Sequence, residues 1–492
     1  MNTDRIVVVG AGLAGLSAAL HLAGAGRSVT VIERASEVGG LCRSFEHDGH
    51  RFDAGPTVLT MPEVIAESFA AVDVDMADML QIERIDPAYR AVYADGSVID
   101  VGATIEATTE SVRAACGPAE AQNFEQFASY ARKLWLAEKD SFIDRNFNSP
   151  LDLVSTDLVR LVMLGGFGSL QRAVHRRLAD DRTRRLASFQ ALYVGVSPKR
   201  ARAMYGSIAY MDLFHGVYHA RGGMSAITRA MAQAATEHGV EIIVDTEVHR
   251  LVRTGSRVTG VIAGDQLISC SEVVLTADPI TAQRDLLGRK VRRPGIRRSP
   301  SCALLHLQVP LEKLPRRELK PAHHTIEFGG AWALTFEEIT RRGTLMSDPS
   351  ILISNPAASD SSLAPPGSAP LYVLAPTPNL DGVTNWDRDG ASYRASLLEW
   401  LRGRGYGVDE SNVVRWTTPS DWERQGLAGG TPFSLAHTLT QTGPFRPHNR
   451  ARGVDNVVFA GAGTTPGVGV PMALISGKLA AARVAGSARA RV

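Results

Sequence analysis

The stretch RIVVVGAGLAGLSAALHLAGAGRSVTVIE, residues 5–33, decides the fold. Ile6–Val9 is an apolar, β-branched run, which predicts a short strand of a parallel sheet covered on both faces. Gly10-Ala11-Gly12-Leu13-Ala14-Gly15 follows as a GxGxxG pattern. LSAALHLAGAG then predicts a helix that stops at a glycine C-cap, Gly24 or Gly26. A second strand, SVTVIE, ends in Glu33, 23 residues after Gly10. Each part has a physical job. Gly10 permits the tight turn, Gly12 lets the backbone approach a pyrophosphate, and Gly15 lets helix and strand pack closely. The helix N-terminus offers free N–H groups and a partial positive charge to phosphates. Glu33 stands where it accepts hydrogen bonds from a ribose. A dinucleotide site in an α/β domain is the expectation.

Bulk properties narrow the rest. A chain of 492 residues exceeds one simple core, so two or three subdomains are expected. Hydrophobic residues at 44% and charged residues at 21% are ordinary for a globular protein. A formal net charge of +2 gives no global reason for nucleic-acid binding. Cys42, Cys116, Cys270 and Cys302 form no CxxC pair, which argues against a structural zinc site or a disulfide framework and fits a reducing cytoplasm. Ile6 to Gly26 carries no charge, yet its glycines, its opening β-branched run and His21 argue against a membrane span or a signal peptide.

After Glu33 comes RASEVGGLCRS, which supplies Arg34, Gly39, Gly40, Leu41 and Arg43. A second glycine pair and a basic residue beyond the acid resemble flavoproteins of the amine-oxidase and carotenoid-desaturase type, where they lie under the pyrophosphate of FAD. In FDAGPTVLTMP, Asp53, Gly55, Pro56 and Thr57 resemble the turn that passes beside the flavin in the same families. At the far end, NVVFAGAGTTPGVGVPMALISGKLAAARV predicts a strand over Val457–Ala460, a glycine-rich loop with Gly461, Gly463 and Gly469, and a helix opening near Pro471. In a flavoenzyme, that helix N-terminus would stabilise negative charge at the pyrimidine edge of the reduced ring. The N–H groups of Val470 and Met472 are the expected donors, because Pro471 has none.

The whole chain is similar to the bacterial phytoene desaturase family of carotenoid biosynthesis. The blocks that carry the resemblance are GAGLAGLSAALHLAGAG, VGGLCRSFEHDGHRFDAGPT, SFQALYVGVSP, YMDLFHGVYHARGGM, SLAPPG and GAGTTPGVGVPMALISGKLAA. Amine oxidases usually carry an Asp where Ala462 stands. The family often has an aromatic-Pro pair where this chain has His219-Ala220. The resemblance implies a non-covalently bound FAD, and a valine at Val248 whose backbone bonds the adenine.

The expected architecture is α/β. A discontinuous Rossmann-type FAD-binding domain comprises 1–75, 222–290 and 441–492. A mixed α+β substrate domain comprises 76–110 and 291–440, and a helical cap that contacts the membrane comprises 111–221. Within the first, GGMSAITRAMAQAATEHGVEIIVDTEVHRLV predicts a helix from Gly222-Gly223 followed by a strand EIIVDTEV. SRVTGVIAGDQLISC then reads as hairpin-like, and NPAASDSSLAPPGSAP as a loop.

LQRAVHRRLADDRTRRL, residues 170–186, repeats Leu170, Val174 and Leu178 at helical spacing beside six arginines, and LVMLGGFGSL precedes it. Read alone, it is a solvated helix face packed on the core. The resemblance shifts the expectation to a membrane-surface helix, since a long polyene is reached from the bilayer. The protein is then cytoplasmic and peripherally membrane-associated.

Desaturation removes one allylic hydrogen as hydride and the other as a proton, so the chain must align an apolar rod and exclude water. Phe189, Tyr193, Tyr210 and Phe214 are the candidate tunnel residues, weighed against ordinary core packing. No metal cluster or catalytic acid or base stands out, and His323-His324 reads as structural or exposed, on opposite faces of a strand. The electron acceptor, oxygen or a membrane quinone, has no sequence signature. Other readings stay open: an isomerase, saturase or oxidase of another polyene or isoprenoid, a non-catalytic flavin-binding protein, and, more weakly, an amine oxidase.

Overall fold

The computed structural model describes residues 4–289, 296–316 and 321–489; the expected boundary at 290 and 291 lies outside them. A five-stranded parallel sheet runs in the order Val457–Phe459, Glu272–Leu275, Ile6–Val9, Val29–Ile32, Glu241–Ile243. Its strands come from three widely separated stretches of chain. Side chains alternate across a strand. Ile6 and Val8 face a layer of three helices, Leu13–Gly24, Met224–Glu237 and Val470–Arg489. Val7, Val273 and Leu275 face the other way, onto a three-stranded antiparallel sheet of Val248–Thr254, Arg257–Ala263 and Gln266–Ser269. Both faces are thus covered, which is why these strands are largely apolar.

Helices Leu13–Gly24 and Val470–Arg489 pack backbone to backbone. A Cβ at Gly477 would collide with the carbonyl oxygen of Ala14 and lie 2.9 Å from the amide nitrogen of Ala18. The Ser17 hydroxyl donates to the Leu474 carbonyl at 2.8 Å within the same contact.

A second sheet has seven strands, in the order Val413–Thr417, Ser301–Pro310, Ser368–Thr377, Ile351–Ser354, His324–Glu327, Tyr89–Val92, Val98–Val101. Every pairing is antiparallel except that of His324–Glu327 with Tyr89–Val92. Ala303, Leu305, Leu307 and Val309 face helix Trp386–Gly403 through Tyr393, Leu397 and Leu401. The opposite face carries Cys302, Leu304, His306 and Tyr372. There, His306 Nε2 donates to the Asp53 carbonyl at 2.9 Å, tying this sheet to the FDAGPT turn. Burial pulls the His306 pKa down to about 4, so the ring is a neutral donor at neutral pH. The stretch between residues 105 and 215 is mainly helical and builds a core of its own around Phe124, Phe127, Leu134 and Phe214.

Three sequence expectations change. EIIVDTEV is not one strand. Glu241–Ile243 joins the parallel sheet, Asp245 adopts a left-handed φ of 51°, and a new strand begins at Val248. Asp tolerates that conformation better than most residues. Residues 170–186 form two short helices, Leu170–His175 and Asp181–Leu186. Asp180 caps the second by accepting from the Arg182 amide at 2.8 Å; Leu170, Val174 and Leu178 do face the core. His323 and His324 are both buried, with ring centroids only 4.5 Å apart. No helix among the described residues is long and apolar enough to cross a membrane.

Replacing Gly477 by Val forces the two helices apart. Unfolding stability is expected to fall by about 1–3 kcal/mol, seen as a lower thermal midpoint; an unchanged midpoint would refute the contact.

Candidate active site

The carboxyl ends of the parallel strands carry the glycine loops, the edge where open α/β sheets bind ligands. Gly10 has φ +103°, and a Cβ there would strike the Thr276 hydroxyl, which itself bonds the Val9 carbonyl at 2.8 Å. A Cβ at Gly15 would strike the Gly10 carbonyl. These two glycines are therefore demanded by the protein's own packing.

Gly12 is different. It is extended, φ −80° and ψ 179°, and a Cβ would meet nothing closer than Gly40 Cα at 3.7 Å. Nothing in the protein requires glycine there, and the open space leaves room for a ligand against the backbone. Gly12 is also the N-cap of helix Leu13–Gly24, with no side-chain cap and no acid in the first turn. The N–H groups of this helix end are left for an anion. The residues fit the pyrophosphate of a dinucleotide.

The second glycine pair folds directly onto this loop. The Gly39 amide donates to the Ala11 carbonyl at 2.8 Å, and Gly12 and Gly39 form a parallel bridge. Both Gly39, φ +126°, and Gly40, φ +57°, need the freedom of glycine. Arg43 donates from Nε to the Gly40 carbonyl at 2.9 Å, which braces the turn. A Cβ at Gly55 would strike the Leu41 carbonyl, so the FDAGPT turn packs on the same loop.

Glu33 is buried, and its two oxygens accept from the amides of Ala11 at 2.8 Å and Ala35 at 2.9 Å. A carboxylate offers about four lone-pair sites, so acceptor capacity remains for a ribose hydroxyl. Val248 follows closely: Asp245 and Thr246 donate to the carbonyls of Ala35 and Glu33, both at 2.9 Å, which brings the start of its strand beside Glu33. Arg34 is exposed and bonds the Gln425 carbonyl.

The C-terminal loop meets the N-terminal one: a Cβ at Gly461 would lie 3.8 Å from the Ala14 Cβ. Gly461, Gly467 and Gly469 all have positive φ, and Gly463 abuts Pro279. Two side chains hold this loop. The Arg446 guanidinium, fully enclosed, donates to the carbonyls of Thr464 at 2.8 Å and Ala462 at 2.5 Å. Burial lowers its pKa to about 10, so it stays charged. Ser476 accepts from the Gly461 amide at 2.9 Å and donates to the Thr465 carbonyl at 2.8 Å. Val470 opens helix Val470–Arg489 and is buried, with Met472 half-buried beside it.

The four aromatic candidates divide into two groups. Phe189 meets Tyr193 at 5.8 Å and Tyr89 at 5.6 Å between ring centroids. Phe214 packs with Tyr210 at 6.3 Å and with Phe124 at 5.4 Å, inside the helical core.

Sequence reasoning missed Thr276, Arg446, Ser476, His306 and the buried Asp212. Only the last left a local signal: it is the one Asp, Glu, Lys or Arg between Ala203 and Ala220. The others act through contacts made by distant segments.

The model for flavin containing amine oxidoreductases matches residues 13–485. The chain is 51% identical over 500 aligned positions to phytoene dehydrogenase of Streptomyces griseus, spanning 99% of this chain and 96% of that one. It is 34% identical to a zeta-carotene-forming phytoene desaturase of Myxococcus xanthus, spanning 98% and 93%. Among solved structures, cyclohexylamine oxidase of Brevibacterium oxydans shares the fold with a TM-score of 0.60 at 16% identity, over 99% of this chain and 100% of that one. A putrescine oxidase variant gives 0.63 at 15%, over 100% of both.

The contrast between Gly12 and Gly15 is testable. Gly12→Leu should leave the apoprotein's melting point near wild type yet weaken flavin retention at least about ten-fold, roughly 1.4 kcal/mol, whereas Gly15→Leu should fail to fold. Measured flavin content and thermal melts of both variants decide it. Loop geometry and end-to-end similarity converge: the chain is an FAD-dependent oxidoreductase that belongs to the flavin-containing amine oxidoreductase family, in its phytoene dehydrogenase and desaturase group.

Proposed function

We propose that this chain desaturates phytoene or a closely related linear carotenoid. The observation that carries the reading is the 51% identity, over 99% of the chain, with a protein named phytoene dehydrogenase. Bound FAD supplies the hydride acceptor. The chain's own residues bind, orient and exclude water. Gly10–Gly15, Arg34, Gly39–Leu41 and Arg43 hold the pyrophosphate end, Glu33 the ribose and Val248 the adenine. Gly55–Thr57, Gly461, Gly463, Gly469, Val470 and Met472 surround the ring system. Phe189, Tyr193, Tyr210 and Phe214 line the substrate path, which suits a hydrocarbon with no hydrogen-bonding groups. Oxygen or a membrane quinone takes the electrons onward.

A water-insoluble substrate calls for a docking face, and an exposed apolar strip supports one. Leu151 is 77% exposed, Val154 76% and Met163 83%, with Val159, Val162 and Phe167 exposed beside them. Of helix Thr156–Met163, only Leu161 is buried. Monomeric soluble proteins seldom expose so many neighbouring apolar side chains. The arginines downstream are largely engaged: Arg177 lies 3.4 Å over the Tyr130 ring, Arg182 pairs with Asp180, and Arg185 pairs with Asp181. The bilayer-contacting strip is therefore proposed at residues 151–167, upstream of the basic stretch. It makes the protein peripherally membrane-associated.

Two measurements test these readings. Expressed in a colourless bacterial host that makes phytoene, the chain should yield coloured lipid extracts; unchanged phytoene alongside folded, flavin-loaded protein would remove phytoene as substrate. In vesicle co-sedimentation, replacing Leu151, Val154, Val162 and Met163 by Ser should reduce the bound fraction at least about ten-fold; sedimentation equal to wild type would remove the docking strip.

A further inference from the structure

We propose that Asp212 is the base that accepts the proton released when the substrate is desaturated. Its side chain is buried in the π-helical turn Met211–His215. Asp212 sits at the seam between the two halves of the molecule: Met211 packs in the core of the FAD-binding layers, while Leu213 and Phe214 pack in the helical core.

Four polar side chains meet there without well-formed hydrogen bonds among them. Asp212 Oδ2, both amide atoms of Gln190, and the hydroxyls of Tyr89 and Tyr193 are all buried and make no hydrogen bond of good geometry, although the two phenols lie close enough to influence each other. The Gln190 amide is near enough to favour the charged carboxylate, yet lies outside hydrogen-bonding geometry. The Tyr89 and Tyr193 phenols face the carboxyl from the second sheet and from the Phe189–Leu192 turn. Burial and the Gln190 amide are the influences that act on Asp212; no lysine or arginine is among them. A packed core does not retain such a group for stability, because unpaired buried polar atoms destabilise it.

The cluster is one ring away from the flavin-side turn. The Tyr89 ring lies 5.4 Å from that of His324, and His324 Nε2 lies 3.3 Å from the Thr57 carbonyl oxygen. The surrounding walls are apolar, with Phe189 against Tyr89 and Tyr193, and Phe214 in the same turn as Asp212. A rod-like hydrocarbon reaching FAD past this turn would meet one carboxyl group, beside one amide and two phenols, among aromatic rings.

The step balances. Bound FAD would supply the two-electron acceptor for one C–H hydrogen, leaving as a hydride equivalent, and the Asp212 carboxylate would take the neighbouring C–H hydrogen as a proton. Two C–H bonds would break and one C=C bond would form, the two electrons passing to the flavin and the proton leaving Asp212 as the neutral acid. Burial pushes its pKa up to about 8, which matches a base to chemistry near neutral pH. The ionised, active form therefore increases as pH rises toward 8.

The inference rests on the desaturase reading above, and the test separates the two. FAD-loaded wild type, Asp212→Asn and Asp212→Glu are compared in anaerobic single turnover with phytoene in vesicles. Wild-type rate should climb with pH to about 8. Asp212→Asn should be at least about a hundred-fold slower at every pH, with flavin content unchanged, and Asp212→Glu should recover part of the rate. A second readout needs no turnover. A buried carboxyl with a raised pKa disfavours folding increasingly as pH rises from 4 toward 8. Asp212→Asn should thus melt higher than wild type at pH 8 and together with it near pH 4. Wild type without turnover overturns the desaturase reading and this inference with it. Wild-type turnover with Asp212→Asn within about two-fold overturns the inference alone, as does a melting difference that does not change with pH.

Discussion

The backbone contact between helices Leu13–Gly24 and Val470–Arg489 is the constraint on which the site depends. Gly477 lets the last helix settle against the carbonyl of Ala14, in the opening turn of the first. That contact brings residues more than 450 positions apart in sequence to one sheet edge. Gly461 then faces Ala14, and the two glycine loops share one cleft. Close packing tolerates no added methyl at such a point. Gly10 and Gly15 obey the same rule, while Gly12 does not, and this asymmetry separates glycines that hold the fold from one whose open side the protein itself leaves unfilled.

The second sheet is fastened to this cleft by neutral polar contacts. His306 bonds the Asp53 carbonyl, and His324 lies against the carbonyls of Thr57 and Ala88. Burial lowers both pKa values to about 4, so these rings link elements without placing charge in the buried seam. The one enclosed cation in the loop region, Arg446, is surrounded by carbonyl oxygens and shapes the C-terminal loop. An isolated buried charge is expensive, and several carbonyl acceptors offset that expense here. Asp212 stands apart, because its surroundings raise its pKa and leave it unpaired.

Much of the FAD-binding half was legible in residues 5–33 alone. A buried strand, a glycine turn, a helix and an acid are local patterns, and each is dictated by neighbours within a few residues. Gly39-Gly40 and the C-terminal glycine block were readable as loops for the same reason. Their meeting was not readable, because it follows from packing between distant helices. The break in EIIVDTEV escaped periodicity because both halves are strand-like and only Asp245, bonded to Ala35, turns the chain. The helical spacing of Leu170, Val174 and Leu178 marked a buried face correctly, although the capping by Asp180 cuts the segment in two.

Sequence by itself determined the dinucleotide cradle, the alternation of helix and strand around it, and the likeness to carotenoid desaturases, since all three are written in short-range patterns. Tertiary structure alone decided which glycines the protein needs for its own packing. It also decided which apolar residues stay outside, and which acid lies without a partner in an aromatic lining. Leu151, Val154 and Met163 look like core residues in a linear reading, and Asp212 looks like one more acid near a turn. Burial, exposure and pairing are properties of surroundings that a chain acquires only when remote segments close around it.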